Sequence, residues 1–356
     1  MGNYSWGNDT SKSWNDGGFS YGEAESAYDA KKGYLSKKAE PAAQEVSKES
    51  MNNAYQLSQK LMSVALPADE KKLLERLSAD DILVSTGQYD SVQDVLDAVK
   101  TPHKIVTKAT EIDPKQVVLV NCPGHNIHHF HYKGKTGGEA LAGFVEDGGF
   151  LVTTDWALDV VAKFFPGFIE HGGNNTTDDH VVIDLVAEKS PYTEGLGNGS
   201  LKPVWWLESS SYPIKLLRKK EIDVLLGSEE MRKKYGESPI AVKFPVGEGR
   251  VIHITSHFKL QTGKTTYEAQ AKNTGQAFST KFLGLSKKQI AEIDGLDSIS
   301  FGAMESAYMS VRFLHNIFLE KIRKLDPVQS VKKLGMAGVS LKKLPHDPSQ
   351  KSKKLI

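Results

Sequence analysis

Cysteine is nearly absent. The 356-residue chain carries one, Cys122, which excludes an intramolecular disulfide and a zinc site built on thiolates, and fits a reducing compartment. Long apolar runs are also missing. None approaches the ~20 residues of a membrane-spanning helix, and the opening MGNYSWGNDTSKSWNDGGF has no apolar signal core, so a cytoplasmic location without membrane insertion is expected. Nor is there a surplus of charge: 45 Lys+Arg against 44 Asp+Glu leave a formal +1, which argues against a globally basic nucleic-acid binder. With 39% hydrophobic residues, the chain has material for a sizeable core. Its length suits one large α/β domain with appendages, or two domains.

Aliphatic residues are scarce in the first segment, residues 1–47, which is rich in Gly, Ser, Asn, Asp and Lys and carries aromatics from Tyr4 to Tyr34. Such a composition does not bury enough apolar surface to offset ordering entropy, so a flexible tail is expected, either merely solvated or docking its aromatics on a partner. The other end, residues 327–356, has seven lysines and one acidic residue, Asp347, with Lys-Lys-Leu beginning at Lys332, Lys342 and Lys353. It reads as a solvated basic tail or as a motif for an acidic partner surface. Protein partners engaged through these two tails are the expectation.

Between them, residues 48–326 alternate. A helix over 48–77, broken near Pro67, precedes the apolar strand DILVS ending at Ser85 and a helix capped by Ser91. The strands KIVT (from Lys104), QVVLV (ending at Val120) and FLVT (ending at Thr153) follow, with a helix from Glu139 to Glu146 between the last two. Continuous apolar strands alternating with helices predict a doubly wound, mostly parallel sheet with helices on both faces, a flavodoxin-like α/β fold. The second half is richer in strands, among them HVVIDL (from His180), PVWWL (from Pro203), IAVKF (from Ile240) and RVIHIT (from Arg250). A last helix to Leu325 shows one apolar stripe.

In an open parallel sheet, ligands lie beyond the carboxyl ends of the strands. Three chemistry-bearing segments are expected there: NCPGHNIHHFH (from Asn121), TTDWALD (from Thr153) and ITSHFK (from Ile254). The order of these elements resembles the class I glutamine amidotransferase-like superfamily. EDGGFLVTTDWAL carries the likeness, and GEGRVIHITSHF is similar to its trehalose-utilisation (ThuA-like) branch. The resemblance implies an amidotransferase-like fold over roughly residues 80–325. It also implies a nucleophilic cysteine on the turn after the FLVT strand, where this chain has Thr154 and Asp155. The family's catalytic histidine matches His257, and its acid, two residues later, is Lys259. Glutamine hydrolysis is therefore not expected, and a catalytically degenerate binding or assembly module is. The alternative is a ThuA-like enzyme acting on a carbohydrate or another small polar molecule.

The candidate catalytic residues are Cys122, a substitute nucleophile with His125 close by, Asp155 and His257. The bland reading of Cys122 is a small buried residue, and of Asp155 a helix cap. His125, Asp155, Trp156 and His257 are the candidate ligand-binding set, because the topology gathers their loops at one sheet edge. His125, His128, His129 and His131 form a dense histidine run, a candidate site for a divalent metal or simply a polar loop whose adjacent side chains diverge.

Overall fold

The computed structural model describes residues 48–197, 203–260 and 273–326. The two tails lie outside the described residues. Eight strands form the main sheet: β1 (Ile82–Ser85), β2 (Lys104–Val106), β3 (Val117–Val120), β4 (Phe150–Thr154), β5 (Asp184–Leu185), β6 (Asp223–Gly227), β7 (Pro239–Val246) and β8 (Gly249–Ile254). Their order is β5-β6-β7-β8-β4-β3-β1-β2. From β2 to β8 every pairing is parallel; β7, β6 and β5 extend the sheet with antiparallel pairings. The fold is mixed α/β with a large, mostly parallel sheet.

Alternation along each strand makes this a two-faced sheet. Ile82 and Val84, Val117 and Leu119, and Phe150 and Val152 enter one apolar cluster with helices α1 (Lys48–Ala65) and α3 (Val92–Ala98). Leu83, Val118, Val120 and Leu151 enter a second cluster with α4 (Gly137–Glu146) and α5 (Leu158–Phe164). The short α2 (Ala68–Leu74) follows Pro67, where the sequence predicts the break. Helix α6 (Glu229–Tyr235) connects β6 to β7, its first turn capped by the Ser228 side chain. The long α7 (Phe301–Leu325) begins at Ser300, whose side chain accepts from Ala303 N.

Three expectations change. Ser91 makes no side-chain cap for α3; Asn121 Oδ1 accepts from Val92 N instead, tying the helix to the end of β3. HVVIDL is not one strand. Asp179–Val182 pairs with Val204–Leu207 in a separate ribbon, and only Asp184–Leu185 joins the main sheet, because the chain crosses between sheets at Ile183. Helix α7 is buried nearly all round rather than along one stripe. Several of its polar residues find partners in the interior: Arg312 pairs with Glu70 at 3.0 Å, and Ser310 Oγ donates to Phe258 O at 2.6 Å. Asn316 donates to Tyr192 O at 3.0 Å, and Lys321 to Gly148 O at 2.8 Å. No described helix is long and apolar enough to cross a membrane.

The glycines of GEGRV have a packing reason. A Cβ on Gly249 would stand 2.1 Å from the Val145 carbonyl oxygen and 2.3 Å from that of Gly149, so β8 starts flush against the end of α4 only without a side chain there.

Candidate functional site

Four parallel strands, β1, β3, β4 and β8, end at one edge of the sheet and deliver four turns to it. The turn after β4 is sharp. Asp155 has φ +46, a left-handed conformation uncommon outside glycine but tolerated by aspartate. It is the strand-to-helix elbow in which a nucleophile is displayed in many hydrolytic folds, here occupied by a carboxylate. The side chain does not cap the following helix: Oδ1 accepts from Tyr212 N at 3.1 Å, and Oδ2 accepts from the Cys122 thiol at 3.6 Å.

His257 closes the cluster from β8. Nε2 lies 3.5 Å from Asp155 Oδ2, and Nδ1 lies 2.5 Å from Glu208 Oε2. Neither ring nitrogen has an aligned hydrogen bond, so both contacts are of charge and proximity. Burial disfavours the imidazolium, but the charge of Asp90 and the neighbouring Asp155, Cys122 and Glu208 outweigh it and hold the histidine well above its ordinary pKa. The turn is fixed from outside by Tyr55 of α1, whose hydroxyl donates to Phe258 O at 2.9 Å and accepts from Leu260 N at 2.8 Å, and by Ser310 of α7.

Cys122 is fully buried. Its backbone N–H donates to Thr154 Oγ1 at 3.0 Å, and its carbonyl accepts from Gln88 N at 3.0 Å. Burial pushes the thiol up to about 11, the His257 contact opposing and the Asp155 charge adding to it. The imidazole that reaches the thiol is His257 and not His125, which sits exposed on a 3₁₀ turn. Trp156 is half-buried. Its indole donates to Ser210 O at 2.7 Å, one face stacks on Tyr212 with centroids 5.7 Å apart, and Tyr89 meets it edge-on at 5.2 Å. An aromatic layer thus adjoins the acidic cluster.

The histidine run does not gather. His128 and His129 lie against each other at 4.0 Å between ring centroids, and His128 Nδ1 faces the His125 carbonyl at 3.1 Å. His131 is not on this turn but on the short strand Phe130–Tyr132 that follows it. Among the described residues, the one group of three or more Cys, His or carboxylate side chains with ligand atoms within 4.8 Å of one another is Cys122, Asp155 and His257. Sequence reasoning missed Glu208 and Asp90. Asp90 follows β1 and was reachable by the edge rule. Glu208 follows a strand outside the main sheet, where that rule has no reach.

No family model matches the chain, and no curated protein matches it. Among solved structures it is similar to a glutamine amidotransferase from Thermotoga maritima, at 12% identity over 69% of this chain and 97% of that one, TM-score 0.33. It is also similar to a cytoplasmic protein from Salmonella typhimurium, at 14% identity over 62% and 99%, TM-score 0.34. A third is an exo-β-1,4-mannosidase from Opitutaceae bacterium strain TAV5, at 11% identity over 55% and 34%, TM-score 0.32; the match spans about a third of that enzyme's length. The fold class is read from the sheet itself.

Proposed function

We propose that the chain is an amidotransferase-like module that binds and assembles rather than hydrolyses glutamine. The observation that carries the reading is the elbow: Asp155 stands where a thiolate nucleophile is needed, with its carboxylate engaged by Tyr212 N, Cys122 and His257. The chain's thiol is on the neighbouring strand end, buried and held protonated at neutral pH, and a thiol is a poor nucleophile. Lys259, at the family's acid position, pairs with Asp94 of α3. In this reading the aromatic-rich residues 1–47 and the lysine-rich residues 327–356 contact protein partners.

The test is ammonia release by the full chain from glutamine. Release at the blank rate is expected; release abolished by Cys122→Ser would overturn the reading. Assembly is tested by removing residues 1–47 and 327–356, and a partner retained after both removals would overturn their role. A second reading, a ThuA-like enzyme acting on a small polar molecule, is favoured by one observation, the imidazole set between two carboxylates beside Trp156. Turnover of a carbohydrate library that is lost in His257→Ala would select it.

A further inference from the structure

The same sheet edge concentrates buried polar atoms without a hydrogen bond: Asp90 Oδ2, Glu208 Oε2, Ser256 Oγ and both ring nitrogens of His257. Leaving such groups unsatisfied is costly, so each calls for an explanation. Charge points the same way. Asp155 and Glu208 lie against one imidazole, Asp90 acts on it through its charge, and the nearby ammonium of Lys259 is committed to Asp94. An edge so rich in carboxylate favours a cation.

The geometry fits one class of cation. Cys122 Sγ is 3.6 Å from Asp155 Oδ2, and Asp155 Oδ2 is 3.5 Å from His257 Nε2. Around a tetrahedral ion with metal–ligand bonds of about 2.0–2.3 Å, neighbouring ligand atoms stand roughly 3.3–3.8 Å apart. The third edge, Cys122 to His257, lies within 4.8 Å and needs a small closure. The support around the three is that of a metal ligand set. Asp155 Oδ1 is anchored by Tyr212 N, which leaves Oδ2 to face inward, and Glu208 Oε2 lies 2.5 Å from Nδ1 of His257, where alignment into a hydrogen bond would fix the tautomer that presents Nε2 to a metal.

We propose that Cys122 Sγ, Asp155 Oδ2 and His257 Nε2 bind one divalent transition metal of the zinc class, with Glu208 orienting the imidazole and a fourth position left for water or a small ligand. A thiolate, an imidazole and a carboxylate together select zinc or cobalt over magnesium and calcium, which prefer oxygen donors. Binding displaces the thiol proton and, from an imidazolium, its Nε2 proton; both go to solvent, and no redox change is involved. The proposal goes beyond the binding-module reading and is independent of it, since a chain that binds metal without hydrolysing glutamine, or does neither, is separately detectable.

The test titrates full-length, chelator-stripped protein with Co(II). One equivalent and a thiolate-to-cobalt charge-transfer band in the near ultraviolet are expected, with zinc competing for the site. Cys122→Ser abolishes the band, Asp155→Asn and His257→Ala weaken affinity at least tenfold, and Glu208→Gln weakens it about tenfold. His128→Ala with His129→Ala changes nothing. Circular dichroism checks each variant's fold, and zinc raises the melting midpoint of the wild type but not of Cys122→Ser. Absence of the band in folded wild-type protein, its persistence in Cys122→Ser, or loss of metal only in the His128/His129 variant would each overturn the proposal.

Discussion

Glu208 Oε2 lies 2.5 Å from Nδ1 of His257, although the residue that follows His257 by two positions is a lysine. The acid beside the imidazole therefore comes from a different element, the turn after the Val204–Leu207 strand, whose ribbon partner is Asp179–Val182. Lys259 pairs instead with Asp94. An acid–imidazole pair thus stands at the sheet edge, with the carboxylate of Asp155 on the other side of the ring.

The seclusion of Cys122 has a direct chemical readout. In native, chelator-stripped protein at pH 8 an aromatic disulfide reagent is expected to leave the thiol almost untouched, because it is buried and protonated. In denaturant one equivalent should react at once. Rapid native labelling would show that the thiol is presented to solvent.

Gly87 presses the turn after β1 against Cys122. A Cβ there would stand 2.1 Å from the Cys122 carbonyl oxygen, which is backbone and cannot swing aside. Gly87→Ala should therefore cost about 1–3 kcal/mol in urea unfolding and speed the native labelling of Cys122. A variant of wild-type stability with an unreactive thiol would refute the packing argument.

Between α2 and α7, the fully buried Glu70 bridges Arg312 at 3.0 Å and Arg323 at 2.8 Å. Removing one member of such a buried pair strands the opposite charge, at about 3–5 kcal/mol. Glu70→Ala should lose that much, and Glu70→Gln should unfold earlier than wild type as well. Unchanged denaturation midpoints for both would mean that water reaches the arginines.

Acid should loosen the fold through its buried histidines. Burial, reinforced by the charge of Arg312, pushes His315 down to about 4, and burial takes His253 down to about 3. A histidine depressed in the folded state contributes stability that is present above its unfolded value of about 6.5 and is lost as pH falls from there towards the folded one. His257 has the opposite sign: its stabilisation is complete below about 6.5 and fades as pH rises through its elevated folded value. Comparing wild type with His315→Gln by urea unfolding at pH 6.5 and pH 5 isolates one group. The variant should show the shallower loss; parallel curves would show that His315 does not titrate abnormally.

Much of this architecture was legible because apolar tetrads such as VVLV and FLVT have few alternatives to a buried parallel strand, and because parallel strands send their loops to one edge. That rule places the segments of Cys122, Asp155 and His257 at one edge of the sheet. It gave no access to Glu208 or Tyr212, whose positions depend on the ribbons beside the main sheet, formed by pairings of distant residues such as Leu216 with Ile169. Helix α7 shows a second limit. Its stripe of apolar residues is visible, but nothing local shows that Arg312, Asn316 and Lys321 are buried against Glu70, Tyr192 and Gly148 from elsewhere in the chain. Periodicity reports a helix's own preference and is silent about polar groups satisfied at long range.

Helices α1 and α7 pack against each other across nearly the whole sequence. During synthesis the α1 face turned towards α7 and the turn after His257 must therefore wait for residues 301–325 to leave the ribosome before they are covered. Closure of this part of the core therefore follows translation of residues 301–325 and joins the two described helices that lie farthest apart in sequence. Ordering of the Asp155–His257 edge, pinned by Tyr55 from one of these helices and Ser310 from the other, falls at that same step.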